Sequence, residues 1–439
     1  MNKSTLALAV AVGVLAQQAS AAGFIEDSKA TLGLRNFYIN TDYRDGAGPN
    51  KNEEWGQGFD LRFISGYTQG TVGFGVDAIG LLGVKLDSGG GTNGATSNSY
   101  GGTVFPSKSN GEAVDNFSSL GLTAKAKVSQ TELKLGTLQP KLPVIVTNDG
   151  RLLPQTWQGG QISSNDIKDL TLIGGQIEQV KGRNSSNNQQ LSISGANGRT
   201  ASARDSNKFI YAGGDYKITK DLTAQYYYGN LEEFYKQHFL GLVHNWAIGP
   251  GVLKSDFRYF NSRSDGANGN DKNFFTTGYY GGGVTKGKVD NNLYSGLFLY
   301  SVAGHTFGGG YQASTGDSDF PWLNQGDGSS NYTITDSQIQ KFGRAGERTW
   351  QGRYSFDFAR LGVPGLTAGA VYLHGDNINN VAGDKSEWER DLTVGYVVQS
   401  GALKNLGVTW KNAMWRTDLP NTRSQDENRL IVSYSIPLL

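Results

Sequence analysis

The sequence predicts an all-β protein, a transmembrane antiparallel β-barrel of about 18 strands with inward-folded loops. Short segments in which apolar and polar residues alternate recur along the chain, and a period of two is typical of strands. The connections between them alternate between tight turns and long polar loops. The composition agrees, because 62 Gly, 21 Tyr, 20 Phe and 8 Trp suit tight turns and aromatic girdles.

The last segment, Asn428–Leu439, has one apolar and one polar face. Apart from Ile431, its residues alternate between the two faces as Leu430, Val432, Tyr434, Ile436 and Leu438 against Arg429, Ser433 and Ser435. No later segment covers this strand, so it is either an exposed edge or pairs with the first segment, Thr31–Ile39. We predict that this pairing closes the barrel.

Residues 1–21 have the features of a secretory signal peptide. Lys3 supplies the positive start, Leu6–Leu15 the apolar core and Ala19-Ser20-Ala21 a cleavage site. The apolar core is too short to span a bilayer. We therefore predict that residues 22–439 form a single outer-membrane barrel domain. The chain has no cysteine, but a domain of this size can be stable without disulfides.

The connections predict the strand number and the orientation. Nine connections lie on the loop side and eight on the turn side, which gives about eighteen strands with both termini on the turn side. A bacterial outer-membrane barrel requires an even number of this kind. A soluble sandwich would also alternate, but the signal peptide, the loop asymmetry and the aromatic strand ends favour the barrel. The aromatic residues expected in interfacial girdles include Tyr38, Phe59, Trp246, Trp350, Tyr372, Trp388, Trp410, Trp415 and Tyr434.

Motifs for chemistry are scarce. The chain has no H-E-x-x-H or G-x-S-x-G motif, its four histidines are not spaced as metal ligands, and no spacing singles out a catalytic carboxylate pair. We predict neither an enzyme nor a metal or cofactor. The net charge of +1 argues against nucleic acid as a partner.

A set of cations is predicted to face the barrel lumen, because an outward Lys or Arg near the midplane would cost about 2–4 kcal/mol. We call six of them the basic ladder: Arg35, Arg62, Arg258, Arg353, Lys411 and Arg429. Such a stripe would attract anions in a narrow lumen of low dielectric. The alternative is that these are ordinary water-lining residues, balanced by Asp60, Glu132, Asp256 and Asp357.

The loop Gln139–Thr156 is more apolar than an exposed loop should be, and three prolines stiffen it. We predict that it folds into the barrel and narrows the pore, with Asp149, Gly150 and Arg151 at the constriction. The alternative is a loop that packs over the mouth of the barrel.

Several motifs together resemble the OprD-type outer-membrane carboxylate channels of pseudomonads. The resemblance covers nearly the whole mature chain and rests on Gly23–Ser28, Leu34–Tyr38, Thr68–Asp77, Asp149–Thr156, Gly362–Leu366, Tyr396–Gly401 and Arg429–Val432. It implies an eighteen-stranded barrel with a narrow eyelet of inward loops and a ladder of basic wall residues. In that family pattern Arg151 matches the eyelet arginine, while Arg429 and Lys411 match ladder positions.

The resemblance also implies a function: passive, substrate-selective diffusion of small anionic carboxylates across the outer membrane, with no cofactor. Thr409 and Gly395 stand where the branch that takes basic amino acids has cations, and the Asp149–Pro154 loop is similar to the branch that takes aromatic and cyclic acids such as benzoate or vanillate. We expect the second branch. A general or basic-amino-acid porin and a membrane-barrel hydrolase are the alternatives. The barrel would be a monomer or a loose trimer, and lipid and lipopolysaccharide would surround it.

Overall fold

The computed structural model describes residues 23–46, 48–88, 102–193, 205–267, 288–323 and 330–439. The predicted signal peptide, residues 1–21, lies outside them. Within these ranges the chain forms the strands β1 (Lys29–Tyr43), β2 (Lys51–Ile64), β3 (Gly73–Asp87), β4 (Asn116–Val128), β5 (Thr131–Leu138), β6 (Lys141–Leu142), β7 (Ile145–Val146), β8 (Thr156–Ser164), β9 (Leu170–Lys181), β10 (Asn188–Gln189), β11 (Phe209–Lys217), β12 (Leu222–Leu231), β13 (Tyr235–Ile248), β14 (Gly251–Ser264), β15 (Asp290–Val302), β16 (His305–Thr315), β17 (Arg348–Asp357), β18 (Leu366–Ile378), β19 (Lys385–Val397), β20 (Gly407–Thr417) and β21 (Gln425–Pro437).

One antiparallel sheet closes on itself. Eighteen long strands pair with their neighbours in chain order, and the two-residue strands β6, β7 and β10 lie in connections. The closing pair is β1 with β21, in a register that runs from Thr31 opposite Pro437 to Tyr43 opposite Gln425. The predicted all-β class, strand number and closure are therefore confirmed. Among the described residues, no helix is long and apolar enough to cross a membrane.

The strands extend further toward the loop side of the barrel than the sequence predicts. β1 continues to Tyr43 and β2 begins at Lys51, so the predicted loop Thr41–Gly56 shortens to residues 44–50. The added residues are polar, but their backbones still pair in register, for example Asn40 with Glu53. Apolar alternation does not reveal them, because ladder hydrogen bonds do not depend on side-chain polarity.

The outer surface of the barrel is apolar, as the alternation predicts. On β21, Leu430 is 44% exposed, whereas its neighbour Arg429 points inward and is buried. Trp415 departs from the predicted girdle. Its side chain is 1% exposed and points into the lumen, where Nε1 donates to Glu387 Oε2 at 2.9 Å. Trp415 therefore belongs to the lining of the barrel.

The lumen holds two apolar clusters that the alternation did not predict. The larger contains Val144, Ile145, Trp157, Phe239 and Phe260, together with side chains of several loops. The smaller joins the strand residues Phe37, Ile39 and Phe117 to the loop residues Phe105, Leu152 and Leu153, and Ile431 packs against it. This contact explains why Ile431 breaks the alternation of the last strand.

Candidate pore constriction

The 139–155 segment enters the barrel, as the sequence predicts. It begins with the small hairpin of β6 and β7, in which Lys141 pairs with Val146. Val144 is buried against Gly229 of β12, at a point where a Cβ on that glycine would lie 2.9 Å from the Val144 Cβ. Leu152 is seated on β2 in the same way, because a Cβ on Gly58 would lie 2.9 Å from the Leu152 carbonyl oxygen. Bare glycine backbone on the wall thus makes room for the segment.

Arg35 fixes the tip of this segment. Its Nη1 donates to Asp149 Oδ1 at 2.7 Å and to the Arg151 carbonyl at 2.7 Å, and its Nη2 donates to Asp149 Oδ2 at 3.1 Å. Gly150 completes the turn, because its N–H donates to Asn148 Oδ1 at 2.8 Å. The structure therefore brings Arg35, Asp149, Gly150 and Arg151 together, with Arg35 holding the turn that presents Arg151.

Arg151 also faces the closing strand, which is the neighbour of β1 in the sheet. Its Nη2 lies 4.0 Å from Glu427 Oε2 on β21. The other oxygen of Glu427 lies 2.6 Å from the Arg429 guanidinium and accepts from Gln338 Nε2 at 3.1 Å. Glu427 is therefore the point at which two cations and a second inward segment converge.

The second inward segment, residues 330–347 of the connection between β16 and β17, was not predicted. Its carbonyl oxygens accept from the wall: Tyr332 from Arg258 Nη1 at 2.8 Å, Ile334 from Arg353 Nη2 at 2.6 Å and Gln338 from Arg429 Nη2 at 3.0 Å. It also contacts the first segment directly, through a β-bridge between Val146 and Ser330. The two segments narrow the lumen between them.

Three ladder arginines therefore also fasten a loop to the wall. Arg258 pairs with Asp256 at 2.7 Å and lies 4.0 Å above the Tyr332 ring. Arg62 pairs with Asp60 at 2.7 Å and does not contact either segment through a hydrogen bond. The neighbours Asp60 and Asp256 thus balance two ladder residues, as the alternative interpretation expects.

Lys411 differs from the other ladder residues. Its Cα lies opposite that of Arg429 in the pairing of β20 with β21, and its side chain shares the lumen with Glu427 and Asp391. Among the described residues it makes no hydrogen bond or ion pair of its own. Among the described residues, the Lys411 ammonium group has fewer protein partners than the charged group of any other ladder residue.

A cavity of about 340 Å³ adjoins the first segment on the side of Lys141 and Leu142. Its lining contains three cations, Arg62, Lys134 and Lys141, and one carboxylate, Asp77. The described residues contain no group of three or more His, Asp or Glu side chains suited to a metal ion.

Three acidic residues that organise the site were not predicted from the sequence. Glu387, Glu389 and Asp391 occupy alternate positions of β19, so all three face the lumen. The sequence E-W-E-R-D could have indicated this, because its alternate residues place three carboxylates on one face of a strand. Three lumenal carboxylates on one barrel strand seldom lack partners. The 330–347 segment supplies a partner to each of them: Arg344 to Glu387, residues 338–340 to Glu389 and Ser337 to Asp391.

The base of the second segment contains carboxyl groups outside the strands. Burial raises the pKa of Asp319 to about 7, although Arg344 and the Ala345 N–H oppose the shift. Burial, together with the charge of Glu387, also raises the pKa of Glu347 well above its usual range. Asp319 Oδ1 accepts from the Ala345 N–H at 2.8 Å and thereby holds the end of the segment.

These shifts predict that the folded barrel loses stability as the pH rises. Below the unfolded-state pKa of 3.8 the protonated Asp319 contributes fully, and its contribution is lost as the pH rises toward about 7. The slope is about 1.4 kcal/mol per pH unit for each such group. Urea unfolding in detergent micelles between pH 5 and pH 8 measures how the free energy of unfolding depends on pH.

Asp319→Asn should reduce this pH dependence by the contribution of about one proton. Asp384→Asn, a change at an exposed loop residue, should leave the pH dependence as in the wild type. Equal pH dependence in all three proteins would contradict the assignment.

Comparisons with known proteins agree with this architecture. A family model described as outer membrane porin, OprD family, matches residues 22–438. Porin-like protein GalP from Pseudomonas putida is 40% identical over 436 residues, which cover 99% of this chain and 97% of that protein. Porin D from Pseudomonas aeruginosa is 34% identical over 470 residues, with 100% and 99% coverage.

Solved structures show the same barrel. OccK8 (OprE) of Pseudomonas aeruginosa superposes with a TM-score of 0.87 at 63% identity, covering 95% of this chain and 100% of that one. OpdK of Pseudomonas aeruginosa, determined with vanillate, superposes with a TM-score of 0.82 at 38% identity, covering 94% and 100%.

Proposed function

The chain belongs to the OprD family of outer membrane porins, and from this premise we propose that its channel selects small carboxylates, with aromatic or cyclic acids as the preferred class. The relatives are porins, so the predictions of an outer-membrane location and of no enzymatic activity are confirmed. What remains to be argued is which solutes pass and which side chains choose them.

The observation that carries the proposal is the run of cations from Arg151 through Arg429 to Lys411. Arg151 and Arg429 both face Glu427, at 4.0 Å and 2.6 Å, and Lys411 lies beside Arg429. Lys411 keeps its hydrogen-bonding capacity for a solute. A carboxylate 4 Å from such a cation gains about 4 kcal/mol at an effective dielectric constant near 20, against about 1 kcal/mol in bulk water.

Passage also requires release. Arg35 and Arg62 are neutralised by Asp149 and Asp60, so neither offers a second strong site next to the constriction. The cavity beside the first segment contains Lys141, whereas its other two cations, Arg62 and Lys134, are paired with Asp60 and Glu132, so it provides only a weak basic surface. Several weak sites in series let a solute leave as readily as it enters.

The aromatic preference rests on two supports. One is the Asp149–Pro154 sequence, and the other is the vanillate in the OpdK structure, since vanillate is an aromatic carboxylate. The constriction of this chain adds an aromatic surface in Tyr332, which lies on the second inward segment between Arg258 and Phe239. An aromatic acid could pair its carboxylate with a cation and its ring with such a surface.

Uptake into proteoliposomes tests the proposal. Benzoate and vanillate should enter faster than arginine and faster than a neutral sugar of similar size. Equal rates for all four solutes would favour a general porin, and fastest entry of arginine would favour a basic-amino-acid porin. Liposomes without protein provide the leak rate that is subtracted.

A further inference from the structure

Glu389 of β19 is a buried carboxylate that binds three consecutive backbone amides. Its Oε1 accepts from the N–H of Gln338 at 3.2 Å and of Ile339 at 2.9 Å, and its Oε2 accepts from the N–H of Gln340 at 2.7 Å. The side chain is 0% exposed and has no ion pair among the described residues. Successive amides that converge on one anion form a strong, directional site.

The site lies in the middle of the fastening of the second segment. Before it, Arg258 and Arg353 hold the carbonyls of Tyr332 and Ile334. After it, Arg344 Nε binds Glu387 Oε1 at 3.2 Å. Glu389 therefore holds the part of the segment that lies nearest to Arg429 and Glu427.

The same contact fixes the side chain that borders the constriction. The Gln338 N–H donates to Glu389, its carbonyl oxygen accepts from Arg429, and its side-chain NH₂ donates to Glu427. Ser337 next to it donates its hydroxyl to Asp391. Without the Glu389 carboxyl group, three backbone N–H groups would lose their acceptor at once, and residues 338–340 would be held less tightly to β19.

We propose that Glu389 is a positioning residue that sets the width of the channel by holding residues 338–340 against the wall. Glu389 does not touch the solute. It acts through the position of the 330–347 segment, which forms one side of the constriction. The inference rests on the porin activity of the family and not on the proposed carboxylate selectivity.

Single-channel conductance of full-length Glu389→Gln in planar bilayers tests the proposal. Glutamine keeps the shape but replaces one acceptor oxygen by an NH₂ donor that faces backbone N–H groups. We expect a conductance about twofold higher in 1 M KCl, where the Debye length of about 3 Å screens the lost charge, so that the change reports geometry. Asp215→Asn is the matched control, because it also removes a lumenal carboxylate, whose hydrogen bonds go to Gln225 and Tyr227 of β12 and not to the segment. Wild-type conductance in Glu389→Gln would overturn the proposal.

A second variant approaches the contact from the loop. Ile339→Pro removes one of the three donors and leaves the barrel wall unchanged, so it remains informative if Glu389→Gln does not fold. It should raise the conductance in the same direction. An unchanged conductance in this variant, with the barrel folded on a boiled-versus-unboiled gel, would also overturn the proposal.

A wild-type channel without anion preference would contradict the proposed function alone, because the conductance of these variants reports the width of the channel and does not depend on which solute is preferred.

Discussion

Replacement of Arg151 by alanine is expected to remove most of the proposed preference of the channel for carboxylates. The Arg151 guanidinium projects from a turn held by Arg35 and lies 4.0 Å from Glu427. A hydrogen bond to a charged group is worth about 1.5–3 kcal/mol, so the uptake of benzoate relative to a neutral solute should fall by about 10- to 100-fold. Proteoliposome uptake of the two solutes in competition measures the ratio.

The fold should survive this change. Glu427 keeps its contacts with Arg429 and Gln338, so the loss of Arg151 does not leave a buried carboxylate without partners. Arg151→Lys preserves a cation and should keep most of the preference. Arg348→Ala, at the exposed first residue of β17, should keep all of it. An Arg151→Ala channel that discriminates as well as the wild type would exclude Arg151 from the selective site.

Replacement of Leu152 by alanine is expected to release the first inward segment. The side chain is 2% exposed and packs in the smaller cluster with Phe37 and Phe105, against the glycines of β2. A buried Leu→Ala change costs about 2–5 kcal/mol, which would raise the population of the detached segment by about 30-fold or more. Single-channel recordings should show a larger and noisier conductance.

Two further variants separate release of the segment from loss of the barrel. Gly58→Ala leaves the segment unchanged but brings a Cβ within 2.9 Å of the Leu152 carbonyl oxygen, so it should produce the same recordings from the wall. Leu135→Ala removes a leucine from the outer face of β5, where the side chain is exposed, and should have no effect on conductance. Identical recordings for all three variants and the wild type would mean that the 139–155 segment does not restrict the passage.

The barrel could be predicted from the sequence because its determinants are local. Each strand shows its period of two within about ten residues, and the pairing of β1 with β21 follows once every other strand has a neighbour. The inward course of the 139–155 segment was also readable, because buried residues such as Val144 and Leu152 interrupt an otherwise polar loop.

The second segment could not be predicted in the same way. Its attachment depends on backbone amides and carbonyls, which every sequence has, and on side chains that lie far apart in the chain. Gln338 and Glu389 are 51 residues apart, and Gln338 and Arg429 are 91 apart. Only the three alternate carboxylates of β19 hinted that a partner was needed.

The basic ladder has a different meaning once these contacts are known. Arg258, Arg353 and Arg429 each give an N–H to the backbone of the second segment, so they shape the passage as well as charging it. Their pattern in the sequence cannot distinguish a fastened arginine from a free one, because the acceptors are carbonyl oxygens. Solute binding belongs to the proposed function, in which Lys411 and Arg151 are the principal residues.

The central claim is that the constriction selects anionic carboxylates, and the zero-current potential of the wild-type channel in a gradient of sodium benzoate tests it most directly. If the cations around Glu427 govern passage, benzoate will carry most of the current and the potential will have the sign of an anion-selective pore. The sign should be maintained at low ionic strength, where fixed charges are least screened. A potential of zero, or one of the sign set by sodium, would contradict the account.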